Sequence, residues 1–206
     1  MTTTDVMRLP SAGREEGGHR FDYKGLHRYI LTLPTFREKS HFTDQALIFS
    51  LLGTLREMAA REKFDVYAYC FLPDRLLLII RGKDEISDMK SFLRNFRVKT
   101  NESMTPLLGH PLWSKKYIER VLRKSEDTKT VARDLFMTPV RKGLVKSLSD
   151  YPFLGSIAVP MAKILGESSA PPQRRSTPRG RPGGTRKEFQ RGRSQGGGGP
   201  RRPHRS

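Results

Sequence analysis

The residue types best suited to ligating a metal or activating a nucleophile are scarce in this 206-residue chain. Its five histidines, His19, His27, His41, His110 and His204, lack the short spacings at which two side chains of one helix or strand meet on one ion. Cys70 is the one cysteine, so neither an internal disulfide nor a thiolate cluster is available, and its place in an apolar run marks a small core residue. Basic residues, by contrast, recur at useful spacings. Lys90, Arg94 and Arg97 lie four and three apart, along one stripe of a helix. Lys115, Lys116 and Arg120 bracket an aromatic–aliphatic run, Arg123 and Lys124 follow it, and Arg141 and Lys142 occupy a later turn. The chemistry open to such a set is phosphate recognition, because counterion release rewards several contacts together rather than one. Taken singly, each of these residues is equally an ordinary solvated surface charge. Arg75 opens an aliphatic run, where it either clamps a phosphate, snorkels to solvent, or pairs with Asp74 or Asp134.

Overall charge points the same way. Lys and Arg number 39 against 21 Asp and Glu, a formal net charge of +18, which calls for a polyanionic partner such as DNA or RNA. From residue 168 to 206 there are ten Arg and one Lys against one Glu, with eight Gly, six Pro and one large apolar residue, Phe189. A segment so poor in apolar surface cannot offset its ordering entropy, so disorder is expected there. Arg-Gly-Arg recurs at 179–181 and 191–193, which suits a loosely binding nucleic-acid arm. The organisation expected is a flexible N-terminus over 1–18, one domain over 19–160, and a linker with basic tail over 161–206. The first 18 residues hold no apolar signal-like core, and the longest apolar run, residues 76–80, is far too short to span a membrane. A soluble cytoplasmic, nucleoid-associated protein, monomeric or homodimeric, is the expectation.

Positioning these residues requires alternating strands and helices. Residues 27–33 (HRYILTL) form a β-rich run, and 44–62 a helix with Leu47, Leu51, Leu55, Met58 and Ala59 at helical spacing. Residues 66–72 and 75–81 are two strands joined through Pro73 and Asp74, where proline presets the turn of an antiparallel hairpin. A second helix is expected over 84–100, with Ile86, Met89, Leu93 and Phe96 on one face, and a fourth strand over 113–122. Ser125 is the expected N-cap of a third helix ending before Pro139. This order predicts an α+β, ferredoxin-like βαββαβ sandwich with an extra C-terminal helix. The 75–81 strand is apolar on both faces, Leu76, Leu78 and Ile80 on one and Leu77 and Ile79 on the other, so it must be covered twice. The third helix, with Val131, Leu135 and Phe136, is the candidate for the second cover.

Four segments in order resemble the single-tyrosine HUH transposases, especially the REP-associated kind. Residues 21–42 (FDYKGLHRYILTLPTFREKSHF) resemble the opening of that family, and 68–80 (AYCFLPDRLLLII) its signature hairpin. Residues 109–122 (GHPLWSKKYIERVL) are similar to its Leu-Trp strand, and 132–145 (ARDLFMTPVRKGLV) to its final helix and Asn-Pro-Val-Arg turn. Tyr151, Pro152 and Phe153 fit the aromatic segment that closes the domain. The resemblance spans about residues 20–156 and implies binding of hairpin or single-stranded DNA.

In that family two histidines of a His-x-His strand hold Mg or Mn, and a tyrosine on the last helix attacks the phosphate. The resemblance aligns Arg75 and Leu77 with the histidines and Asp134 with the tyrosine. Guanidinium cannot ligate a cation, leucine has no ligand atom, and a carboxylate is repelled by a phosphodiester. The expectation is therefore a binding protein with no catalytic residues, no metal and no cofactor; an active transposase using unconventional residues, or an RNA-binding protein, are the alternatives. Tyr117, four residues past Trp113, is a conceivable substitute nucleophile, and an aromatic packed on the sheet is the simpler role for it.

Overall fold

A computed structural model describes residues 21–166; the flexible N-terminus and the basic tail expected from the sequence lie outside these residues. The elements run β1 (Arg28–Pro34), α1 (Gln45–Arg61), β2 (Phe64–Leu72), β3 (Arg75–Gly82), α2 (Met89–Leu108), β4 (Ile118–Val121), α3 (Thr128–Phe136), α4 (Thr138–Arg141), β5 (Leu154–Gly155) and α5 (Met161–Leu165). One antiparallel sheet has the order β4-β1-β3-β2-β5, the ferredoxin-like order extended by β5 at the β2 edge.

Alternation along β3 decides the two layers. Leu76, Leu78 and Ile80 join Tyr29, Leu31 and Leu33 of β1 beneath α1 and α2, where Leu51, Leu55, Phe92 and Phe96 complete the first core. Ile79 and the partly buried Leu77 face the other way, onto Ala132, Leu135 and Phe136 of α3, Tyr151 and Ile164 of α5. The third helix thus covers the second face, as the doubly apolar strand requires. A bulge in β2 between Val66 and Ala68 shifts its phase, so that Val66 faces the first core while Ala68 and Cys70 face the second. Cys70 is fully buried, and burial pushes its thiol up to about 12, consistent with a core residue.

Several boundaries differ from those the sequence suggests. The second helix starts at Met89, because Asp88 caps it by accepting from the Ser91 amide, while Asp84 closes a turn on Ile86, which stays 70% exposed. It runs through Pro106 to Leu108 and stops at Gly109 in the left-handed region, φ 72°. The fourth strand is cut to Ile118–Val121; Trp113 keeps only an isolated antiparallel bridge to Thr35, and its indole N–H donates to Thr100 Oγ1 of α2 at 2.7 Å. Asp127, not Ser125, caps α3 through the Thr130 amide. Helix α5 places Ile164 in the second core, so the packed body continues past residue 160.

Gly82 is dictated by close approach. A Cβ there would lie 2.0 Å from the Gly25 carbonyl oxygen, which fixes residues 21–27 against the end of β3.

Candidate nucleic-acid interface

The structure sorts the candidate cations by what each already touches. Arg75 belongs to the turn end of the hairpin, where its guanidinium donates from Nε and Nη2 to the two Asp74 oxygens at 3.0 and 2.5 Å. Glu38 stands 4.0 Å away, and both side chains of the pair are about one-fifth exposed. Burial alone would raise the Asp74 carboxyl, but the Arg75 hydrogen bonds and charge outweigh it and hold the group below its ordinary value. Of the alternatives open to Arg75, pairing with Asp74 is the one realised, and a bidentate partner leaves its fork little capacity for a phosphate.

Leu77 lies one row along the same face. The register aligns it with Thr32 of β1 and Cys70 of β2, and Ile118 of β4 lies beyond Thr32. Asp134 is exposed on α3; its backbone carbonyl accepts from Arg141 Nη2 and from the Thr138 hydroxyl. A shallow recess beside Asp74 is lined by Glu38, Ser40, Pro73, Lys142 and Leu144. Among the described residues, no three His, Cys, Asp or Glu side chains gather as metal ligands. The histidines His41 and His110 do meet, with ring centroids 5.2 Å apart, a proximity that their distance in sequence hides. Both His110 nitrogens have partners, Lys39 Nζ at 3.1 Å and the Pro111 carbonyl at 2.9 Å.

The stripe on α2 is built differently. Lys90 donates to both Glu119 oxygens and to the Tyr117 hydroxyl, and its ammonium stands 4.0 Å from the Tyr23 ring centroid. Burial would lower the Lys90 ammonium, yet the Glu119 and Tyr117 hydrogen bonds raise it, so it stays charged. Arg97 donates to the Ser114 carbonyl, and its guanidinium lies 5.5 Å from the Tyr117 centroid. A carbonyl orients a guanidinium without cancelling its charge. Lys90, Arg97 and Tyr117, with Leu93, Arg94, Val98 and Asn101, line a cleft of about 260 Å³. Tyr117 packs against the first core, whereas Leu77 packs against the second, so the two stand on opposite sides of the sheet.

Three of the eleven candidate cations are therefore neutralised by carboxylates: Arg75 by Asp74, Lys90 by Glu119, and Arg120 by Glu126 at 2.7 Å. Arg97 and Arg141 are oriented by carbonyls. Arg94, Lys115, Lys116, Arg123, Lys124 and Lys142 form no ion pair with a described residue. Arg94, Lys115 and Lys116 are all exposed, and Arg97 ties the 114–115 backbone to α2, which brings them to one side of the molecule. The aromatic partners of this stripe, Tyr23 and Tyr117, carry no basic signal in the sequence and become evident only once Lys90 and Arg97 are seen over their rings.

Solved structures similar to this chain include two transposases. One, described as a REP-associated tyrosine transposase bound to a REP hairpin, is 22% identical over 66% of this chain and 79% of that chain, with a TM-score of 0.55. The other, a crystal structure assigned as a transposase from Deinococcus radiodurans R1, is 22% identical over 58% of this chain and 94% of that chain, with a TM-score of 0.41. The likeness is one of fold. No protein-family model matches the chain, and no curated protein matches it.

Proposed function

We propose that the protein binds hairpin or single-stranded DNA on a tyrosine-transposase fold without cutting it. The observation that carries this reading is the Asp74–Arg75 pair beside Leu77, at the strand positions that the family resemblance matches to metal-binding histidines. These residues do not fit a divalent cation. Arg75 brings a fixed positive charge and no lone pair, Asp74 is committed to it, and Leu77 has no donor atom. The matched nucleophile position holds Asp134, whose carboxylate repels the phosphate that a tyrosine would attack. The solved structure of similar fold that carries a REP hairpin supports DNA as the ligand, and so do the eight of the eleven candidate cations that have no carboxylate partner among the described residues. No magnesium or manganese is needed for this activity.

The test is a denaturing gel of labelled hairpin DNA incubated with the purified protein and either metal, beside a native binding assay on the same sample. Retarded complexes in the native assay with no nicked product and no protease-sensitive adduct are expected. Cleavage, or a covalent adduct mapped to any residue, overturns the inactive reading; absence of binding to every hairpin and single strand overturns the binding reading.

A further inference from the structure

We infer that the aromatic and cationic track from Phe21 through Tyr23 and Lys90 to Tyr117 and Arg97 is the seat of a single-stranded DNA segment. The inference rests on the DNA-binding reading above and assigns it a place on the molecule, on the α2 side and away from the Asp74–Arg75 pair.

The track is continuous. Phe21 meets Tyr23 edge-on with centroids 5.0 Å apart, Lys90 stands 4.0 Å from the Tyr23 centroid and 5.3 Å from that of Tyr117, and Arg97 lies 5.5 Å from Tyr117. From Tyr23 onward rings alternate with basic side chains, of which Arg97 keeps its charge, and a single strand alternates in the complementary way, uncharged base faces with anionic phosphates. A duplex has its base faces already stacked on one another and offers them to no platform. Phe21 is 44% exposed, with the rings of Tyr23 and His27 as its neighbours, so part of its ring stands open to a ligand. Within the cleft, Val98 adds an apolar wall, itself 49% exposed.

Charge is arranged for the same ligand. Glu119 cancels Lys90 and, by holding its ammonium, sets the spacing of the two tyrosines. Arg97 keeps its charge while a carbonyl fixes its direction, and Arg94 with Lys115 and Lys116 supplies cations that no described carboxylate offsets. A ligand with one negative charge per nucleotide gains from such a set; Tyr23, stacked on Tyr29 and covered by Lys90, acts as the support, and the Phe21 and Tyr117 rings take bases without regard to sequence.

The experiment uses the full chain, wild type and the variants Phe21→Leu and Tyr117→Leu, in fluorescence polarisation with three labelled DNAs. These are a blunt hairpin, the same hairpin with a short single-stranded 5′ extension, and an unstructured oligothymidylate. Each variant is expected to weaken binding of the extended hairpin and the oligothymidylate by about tenfold, leaving the blunt hairpin within about twofold. Phe21→Leu alters an exposed side chain and keeps the test valid should Tyr117→Leu disturb folding, which circular dichroism reads out. Equal losses on all three DNAs, or no loss on any, overturn the track. Tighter binding of an RNA strand of matched sequence overturns its assignment to DNA. Wild-type protein that binds none of the three sinks the DNA-binding reading itself, a result distinct from variants that bind like wild type.

Discussion

On the α3 side of the sheet Arg75 is held by Asp74 and Arg120 by Glu126, while Arg141 rests on a backbone carbonyl. Beside α2 Lys90 is held by a carboxylate, Glu119, whereas Arg97 is held by a backbone carbonyl and Arg94, Lys115 and Lys116 have no carboxylate partner among the described residues. Both regions look equally basic in the sequence. What separates one cation from another, on either side, is the nearest oxygen. A carboxylate within hydrogen-bond reach removes the charge that a phosphate would feel, while a carbonyl aims the donor and leaves its charge in place. The first arrangement stabilises the fold; the second keeps electrostatic attraction available for an anionic ligand.

The largest effect that could break this comparison is on affinity. Replacing Arg94, Lys115 and Lys116 together with Ala should weaken single-stranded DNA binding on the order of tenfold to a hundredfold and reduce the salt slope by about 2. Replacing Arg75 and Arg120 with Gln should leave that slope unchanged. Titrations at several salt concentrations check both, and equal slopes for the two sets of variants would erase the distinction between the regions.

A smaller effect concerns the support under the aromatic track. Gly82→Ala drives a Cβ to 2.0 Å from the Gly25 carbonyl, so backbone must move, at a cost of about 2–3 kcal/mol in urea denaturation. Gly155→Ala meets the Tyr69 hydroxyl at 2.6 Å and ring carbon Cζ at 2.8 Å, a side chain rather than backbone, and should cost less. The Gly82 variant should also lose single-strand affinity, because residues 21–27 are displaced with Gly25. Retained affinity in a destabilised variant would separate the track from its support.

The smallest effect is a pH dependence on the α3 side. The Asp74 carboxyl lies below its ordinary value in the folded chain, so its contribution is fully present above the unfolded aspartate pKa of about 3.9 and is lost as pH falls through the lower folded value. Asp74→Asn should therefore destabilise by about 1 kcal/mol at neutral pH, a modest figure for a partly exposed pair. The gap from wild type should stay constant from about pH 8 to pH 5 and close below about pH 4. A gap that persists in acid would mean that the pair matters through packing rather than charge.

Much of the fold was legible because its signals are local. The Pro73–Asp74 turn between two apolar runs announces the hairpin, and apolar residues on both faces of residues 75–81 demand the second helical cover that α3 provides. The misses are places where a distant contact overrides a local preference. Trp113 has strand-like neighbours but is drawn to Thr100 of α2, and residues 154–155 form a strand only because the β2 edge lies beside them. At the site, the basic residues were legible one by one, and their condition was not. Glu119 lies 29 residues from Lys90, and Tyr23 lies far from both Lys90 and Tyr117 along the chain.

By itself, the sequence determined the excess of positive charge, the strand–helix order and the absence of His-x-His at residues 75–77, all of which follow from residue identity and spacing. Tertiary structure alone decided which cations remain available and which rings stand beside them. The reason is that Coulomb attraction and ring contact depend on separation in space, at a few ångströms, and the antiparallel register of β4 on β1 is what carries Glu119 to Lys90 while leaving Lys115 and Lys116 without a carboxylate among the described residues.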